Sequence, residues 1–244
     1  MCVRPVALVT GSSRGIGAAI ADALADAGHA IAITYASSQE AAEARVAALQ
    51  DRGVTAAAFH LDGNDAESVA SLVPRVAEAL GPIQVLVNNA GTVTPAVLSD
   101  TSDQAFDQQY AVNVRTPFQL ARAAAEQMDE GGRIINIGSI WGQSVPMPGI
   151  GAYAMSKFAL TGLTRAWARD LAGQGITVNC VHPGPIHTDM NPSDGPFAGF
   201  NTPRTALGRY GRAEELARAV VWLASPESSY VTGAELNVDG GYNA

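Results

Sequence analysis

An α/β fold, with a parallel seven-stranded sheet doubly wound by helices on both faces, is predicted from three observations. Seven short, almost continuously apolar runs recur along the 244 residues, as expected of parallel strands covered on both sides. Longer stretches rich in Ala, Leu, Glu, Arg and Gln at helical spacing separate them, and strand–helix alternation of this kind builds right-handed βαβ units. No Pro-, Gly- or Ser-rich linker divides the chain, so residues 1–244 read as a single domain.

The strands are expected at 6–10 (VALVT), 30–35 (AIAITY), 55–61 (TAAAFHL), 83–89 (IQVLVNN), 133–139 (RIINIGS), 176–182 (ITVNCVH) and 235–239 (ELNVD). Helices are expected at about 15–26, 38–51, 65–80, 102–129, 152–172 and 212–224. Asp65 and Ser102 have the side chains to cap helix N-termini. Gly28, Gly53, Gly81 and Gly173 mark helix ends. The irregular stretch from Pro183 to Leu207 holds five prolines and follows a strand. Ligands of open α/β sheets bind beyond the carboxyl ends of the strands, so a mobile substrate lid is expected at about 185–207.

Composition narrows the function. A formal net charge of -8 and a sequence pI near 4.9 disfavour phosphate backbones, so no nucleic-acid partner is expected. No run approaches the roughly 18 apolar residues of a membrane span, and the apolar start of the chain is too soon broken by glycine for a signal segment. Cys2 and Cys180 form neither a CxxC pattern nor a disulfide framework, consistent with a reducing, cytoplasmic setting. His29, His60, His182 and His187 share no ligand spacing, and no metal is expected.

The segment TGSSRGIG, Thr10–Gly17, follows the first strand and opens the first helix. Gly11, Gly15 and Gly17 let the backbone turn tightly and approach a ligand with no Cβ in the way. The helix N-terminus beyond them offers free N–H groups and positive dipole to a pyrophosphate. A strand, this loop and a helix in succession form a dinucleotide-binding unit, which makes the fold a single-domain Rossmann fold.

Further motifs follow in order. NNAG spans Asn88–Gly91 at the end of the fourth strand, and Asn113 lies in VNV. Ser139 ends the fifth strand, Tyr153 and Lys157 stand in YAMSK, and PGPIHTD spans Pro183–Asp189. Together with the glycine loop they resemble the TGxxxGxG/YxxxK pattern of the short-chain dehydrogenase/reductase family, over essentially the whole chain. The resemblance implies a nicotinamide cofactor touching Ser13, Arg14, Ile16, the loop glycines, Asp62, Gly63, Asn89, Ala90, Gly91, Tyr153, Lys157, Pro183, Gly184, Ile186 and Thr188. For Asp62, a turn or capping role is the alternative.

An acid about 20 residues past the glycines holds the ribose 2′-OH in NAD-binding units. Counting along the second strand reaches Tyr35 instead, and the first acid is Glu40. Arg14 in the loop, with Ser37 and Ser38, is suited to a 2′-phosphate. NADP(H) is therefore the expected cofactor, as the resemblance also implies.

Tyr153 and Lys157 are four residues apart, so on a helix both leave the same face. A carbonyl that accepts hydride needs a proton and hydrogen-bond donors. A phenol donates the proton, and an ammonium one turn away stabilises the resulting phenolate. Ser139 can donate to the substrate oxygen, and the resemblance gives Asn113 a place in a water-linked proton path to Lys157. Reversible, NADPH-dependent reduction of a ketone or aldehyde follows as the expected reaction.

Trp141, Met190 and Phe197, with Met147 and Ile150, flank the catalytic segment or the lid, where an apolar pocket and core packing are both open to them. Trp222 and Leu223 fall on a helical pattern as core or subunit contacts. Family resemblance implies a homotetramer or homodimer packed through the two long helices and the C-terminal strand. Members it brings to mind include 3-oxoacyl-(acyl-carrier-protein) reductases, but Arg204 and Arg209 stand alone near Asp189 and Asp194, without the basic patch an acidic carrier needs. A small-molecule carbonyl substrate is expected instead. An alternative is a regulatory nucleotide-binding protein, because the PGPIHTDMNPSDGP segment also resembles that of a bacterial short-chain reductase-like protein that binds cyclic-di-GMP.

Overall fold

Apolar residues on both sides of a strand demand cover on both sides, and the computed structural model, which describes residues 4–244, supplies it. In chain order the elements begin β1 (Val6–Val9), α1 (Gly15–Asp26), β2 (Ala30–Tyr35), α2 (Gln39–Asp51), β3 (Ala56–His60), α3 (Ala66–Leu80) and β4 (Ile83–Asn88). Next come α4 (Asp103–Tyr110), α5 (Thr116–Ala125), β5 (Arg133–Ile137), α6 (Gly151–Asp170) and β6 (Thr177–Pro183). Two-residue strands β7 (Ile186–His187) and β8 (Gly211–Arg212) flank the short helix α7 (Ala198–Asn201), and α8 (Ala213–Ala224) and β9 (Glu235–Val238) complete the chain.

The main sheet has seven parallel strands in the order β3-β2-β1-β4-β5-β6-β9. Alternate residues of one strand serve opposite layers. In β1, Ala7 and Val9 enter a core with Ile20 and Leu24 of α1 and Leu216 and Val220 of α8. Val6 and Leu8 enter the other, with Leu72 of α3, Leu120 of α5 and Trp167 of α6. The winding reverses direction between β1 and β4, which opens a crevice at their carboxyl ends. No helix of the described residues is long and apolar enough to cross a membrane. Cys2 lies outside the described residues.

Local signals act as expected at most boundaries. Asp65 accepts the Glu67 N–H at 2.9 Å, and Ser102 accepts the Ala105 N–H at 3.2 Å. Gly28, Gly53 and Gly81 take positive φ just past helix ends. Two expectations are corrected. The stretch 102–129 is two helices joined by a π-helical turn, Ala111–Arg115; a π turn uses the same residue types as an α-helix, so composition cannot reveal it. And α6 closes at Asp170 into a 3-10 turn whose left-handed residue is Gly175, at φ 72, not Gly173.

The proline-rich segment after β6 is folded. Thr188 and Asn191 bridge across a turn, and α7 follows. Asn201 donates to the buried Tyr210 hydroxyl at 3.0 Å. Ile186 and His187 pair in parallel with Gly211 and Arg212.

Candidate active site

At the β1/β4 crevice the glycine loop is fastened by side chains from its neighbours. Thr10 Oγ1 accepts the N–H groups of Asn89 and Ala90, both at 2.9 Å. Asn89 Nδ2 donates to the carbonyls of Thr10 (2.8 Å) and Gly11 (3.1 Å). From β2, Thr34 Oγ1 accepts the Gly11 N–H at 2.9 Å. Gly11 and Gly15 have φ of 63 and 59, where an L side chain is strained. Gly17 is needed for space: a Cβ there would lie 2.4 Å from Gly11 O and 2.5 Å from Asn89 Nδ2. The segment after β6 comes down on this loop, with Thr188 Cγ2 3.6 Å from where a Gly15 Cβ would stand. Gly184 passes so close to Asp239 that a Cβ would meet its Cα at 2.5 Å.

The remaining residues singled out for a cofactor surround the same edge. Arg14 is exposed at the N-terminus of α1 and enters no ion pair among the described residues. Tyr35 ends β2, its ring edge-on to His60 at 5.7 Å, and Ser37 and Ser38 lead into α2. Asp62 serves the turn, accepting the Asn64 N–H at 2.9 Å, while Gly63 O accepts from Thr116 Oγ1 at 3.1 Å. No acid approaches Tyr35 along the strand, because the first one after β2 is Glu40 within α2.

Asn113, Ser139, Tyr153 and Lys157 are brought together by β5, the π turn and α6. Lys157 is buried, and its Nζ donates to Ile137 O at 2.9 Å, which holds the ammonium against the end of β5. It stands 5.6 Å from the Tyr153 ring centroid. Asn113 is buried in the π turn, and its side-chain amide is fully engaged. Oδ1 accepts the Thr92 N–H at 2.8 Å, and Nδ2 donates to Thr92 O (2.8 Å) and Ser156 Oγ (3.0 Å). Ser156 in turn donates to Tyr153 O at 2.7 Å. A β-substituent on Gly91 would lie 3.4 Å from Asn113 Oδ1 and 3.5 Å from Lys157 Nζ, so this glycine keeps the space between them open. Ser139 Oγ accepts the Trp141 N–H at 3.1 Å, which leaves its own hydrogen to donate.

Of the apolar candidates, Trp141 lies edge-on to Tyr153 at 6.1 Å. Met190 and Phe197 stand outward, 71% and 50% exposed. Ile150 and Leu223 are core residues, while Trp222 is 40% exposed. Sequence reasoning gave no role to three residues that organise the site: Thr10, Ser156 and His182. Thr10 and Ser156 sat inside quoted motifs without a task. His182 had a signal, an imidazole within an apolar strand. It is fully buried beneath Ser139, with Nδ1 2.8 Å from Ser139 O and Nε2 3.3 Å from Glu235 Oε2. Burial holds its imidazole below the ordinary value, against the opposing pull of Ser139 O and Glu235. Burial pushes Glu235 up, but the Gln143 hydrogen bond and the Arg165 charge outweigh it and leave the carboxyl below its usual range. Burial also drives the Cys180 thiol up to about 12, despite the nearby Lys157 charge.

These features agree with three comparisons. The family model described as enoyl-(acyl carrier protein) reductase matches residues 11–243. The cyclic-di-GMP-binding biofilm dispersal mediator protein of Escherichia coli is 41% identical over 97% of this chain and 96% of its own length. A 3-oxoacyl-(acyl-carrier-protein) reductase of Staphylococcus aureus is 39% identical, covering 96% of both chains. Among solved structures, a short chain dehydrogenase from Burkholderia cenocepacia in complex with NADP superposes with a TM-score of 0.97 at 46% identity over 99% of both chains.

Proposed function

We propose the function of this chain from one premise: it belongs to the short-chain dehydrogenase/reductase family. The reading is an NADP(H)-dependent oxidoreductase that reversibly reduces a ketone or aldehyde of a small molecule to the alcohol. The observation that carries it is the cluster at the end of β5, where a buried ammonium faces a tyrosine ring beside a serine hydroxyl with its hydrogen to give.

A dinucleotide fits the chain's own geometry. The loop Thr10–Gly17 turns through the positive φ of Gly11 and Gly15, packs Gly17 against its own backbone with no room for a Cβ, and ends on the free N–H groups of α1. Arg14, Ser37 and Ser38 are suited to a 2′-phosphate, and no carboxylate stands at Tyr35 to repel one. A related structure holding NADP supports the same preference. NADPH, when bound, supplies the hydride.

The chain does the rest. Ser139 donates to the substrate oxygen and holds it beside Tyr153. Tyr153 gives its phenolic proton to that oxygen as negative charge develops there. Lys157, fixed by Ile137 O, stabilises the phenolate left behind and would also meet the ribose of the bound nicotinamide. Asn113 contributes by position, tying the segment after β4 at Thr92 to Ser156 and so to Tyr153 O in α6. In alcohol oxidation the proton returns to Tyr153. Trp141, with Met190 and Phe197 on the covering segment, forms the apolar side of the substrate entrance. Residues 185–207 act as the lid of a single domain.

An acidic carrier is disfavoured as partner. Arg209 is paired in a fork with Glu215, at 2.8 and 2.9 Å, and Arg204 lies over its own neighbour Phe200 at 3.7 Å. Both lie on the surface, but each is already engaged within the chain. The exposed Phe106, Phe118 and Phe158 on α4, α5 and α6 support assembly into a homotetramer or homodimer; a cytoplasmic setting belongs to the same reading through the absence of a disulfide framework in the sequence. Light scattering on the purified chain tests the assembly.

The test of the reaction is NADPH oxidation across a panel of ketones and aldehydes with wild-type protein and Tyr153→Phe. Turnover by the first and its loss in the second, with NADPH binding kept, is expected; activity retained by Tyr153→Phe refutes the assignment. A second reading, a regulatory protein that sequesters cyclic-di-GMP, is favoured by the 41% identical relative of that description. Calorimetry with cyclic-di-GMP decides it: tight binding without turnover on any carbonyl would replace the first reading.

A further inference from the structure

We infer that His182 is a positioning residue for Ser139, in a clamp whose other half ties the turn after Ser139 to Glu235 and to the C-terminal tail. The inference rests on the reading of Ser139 given above.

The observations begin with space. His182 is fully buried on β6, and its ring lies where a Cβ on Gly138 would fall, 2.5 Å from Nδ1 and 2.7 Å from Cε1. Only a glycine before Ser139 admits the imidazole there. With its hydrogen on Nδ1 the ring donates to Ser139 O at 2.8 Å, so it holds the backbone of the residue whose hydroxyl faces the substrate. On its other side, Nε2 lies 3.3 Å from Glu235 Oε2 with no hydrogen bond between them.

Glu235, on the adjacent strand β9, is itself held. Gln143 Nε2 donates to Oε2 at 3.2 Å, and Arg165 of α6 donates to Oε1. Gln143 belongs to the turn that follows Ser139. The same turn is tied to the tail, since Asn243 Nδ2 donates to Ile140 O at 2.9 Å and Ser144 Oγ donates to Asn243 Oδ1 at 3.0 Å. The charged groups near the ring are Glu235, which is itself paired with Arg165, and Lys157. Ser139 is thus fixed from behind through β6 and from its C-terminal side through Glu235 and Asn243. Nothing in this clamp touches the reacting atoms, so His182 acts through Ser139.

The test measures kcat per NADPH-binding site, with binding-competent protein counted by NADPH fluorescence titration. His182→Leu keeps the bulk and removes the donor; His182→Gln restores an N–H toward Ser139 O. The expected result for His182→Leu is a fall in kcat of roughly tenfold to a hundredfold, a fraction of what deleting an oxyanion donor outright removes. NADPH affinity is expected unchanged, and kcat largely recovered in His182→Gln. In a Ser139→Ala background the same His182→Leu change is expected to have no further effect, because a residue that acts through Ser139 is not additive with it. Unchanged kcat per site in His182→Leu, or an equal loss in the Ser139→Ala background, overturns the inference and leaves the reductase reading intact. A wild-type chain that binds NADPH but turns over no carbonyl overturns both.

Discussion

Replacing Gly17 by alanine adds one methyl group where the structure has no room for it. The new Cβ would lie 2.4 Å from Gly11 O, 2.5 Å from Asn89 Nδ2 and 2.9 Å from Ser12 Cα, where ordinary contacts begin at 3.4 Å. About 1 Å of movement is required, and two of the three obstacles are backbone of the glycine loop itself. The third, Asn89 Nδ2, carries the hydrogen bonds to Thr10 O and Gly11 O. Losing both removes about 1–3 kcal/mol, and overpacking adds about 1–3 kcal/mol. The midpoint, about 4 kcal/mol, divides between the fold and the cradle. If half falls on the cradle, NADPH affinity drops roughly 30-fold; the half that falls on the fold lowers the melting temperature by about 4–8 °C. NADPH fluorescence titration and a thermal melt read the two shares. Gly173→Ala is the control, since its Cβ meets nothing within 4 Å, and neither quantity is expected to move. NADPH affinity within threefold of wild type together with an unchanged melt for Gly17→Ala would refute the packing argument.

Three further outcomes follow from the same structure. Arg14→Ala is expected to raise KM for NADPH by roughly 10- to 100-fold, the loss of charge-assisted bonds worth about 1.5–3 kcal/mol, and to leave KM for NADH unchanged; equal KM values for the two cofactors in wild type would end the NADPH preference. Burial holds His29 and His182 below the ordinary 6.5, so the unfolded chain takes up protons there before the folded one does. Stability is therefore present in full above about pH 6.5 and declines as pH falls below it; melts between pH 8 and 5.5 check the sign, and His182→Gln should flatten part of the slope. With the Cys180 thiol pushed up to about 12 by burial, a Cys2→Ser variant is expected to show no thiol reaction at pH 8 until denaturant is added; rapid native labelling would contradict the burial.

What could be read from the sequence, and what could not, divides along a physical line. Strands such as AIAITY and IQVLVNN are legible because double-sided burial writes itself as an unbroken apolar run. The glycine loop and the Tyr153–Lys157 pair are legible because each is local, with its spacing set by one loop or one helical turn. The π turn at Asn113 left no trace, since it changes the hydrogen-bond partner of a carbonyl without changing which residue types suit the helix. His182 was discounted for a related reason. Its meaning comes from Ser139, 43 positions earlier in the chain, and strand pairing between β5 and β6, which sets Ile137 against Val181, brings them together only after folding. The same holds for Asn243, whose bonds to Ile140 and Ser144 cross about a hundred residues. Local chemistry thus names the groups that react, while the parts that aim them are long-range and polar. That is also where Ser139 is most exposed to failure. Its hydroxyl can be left untouched and still be misdirected by a change in β9 or in the last residues of the chain.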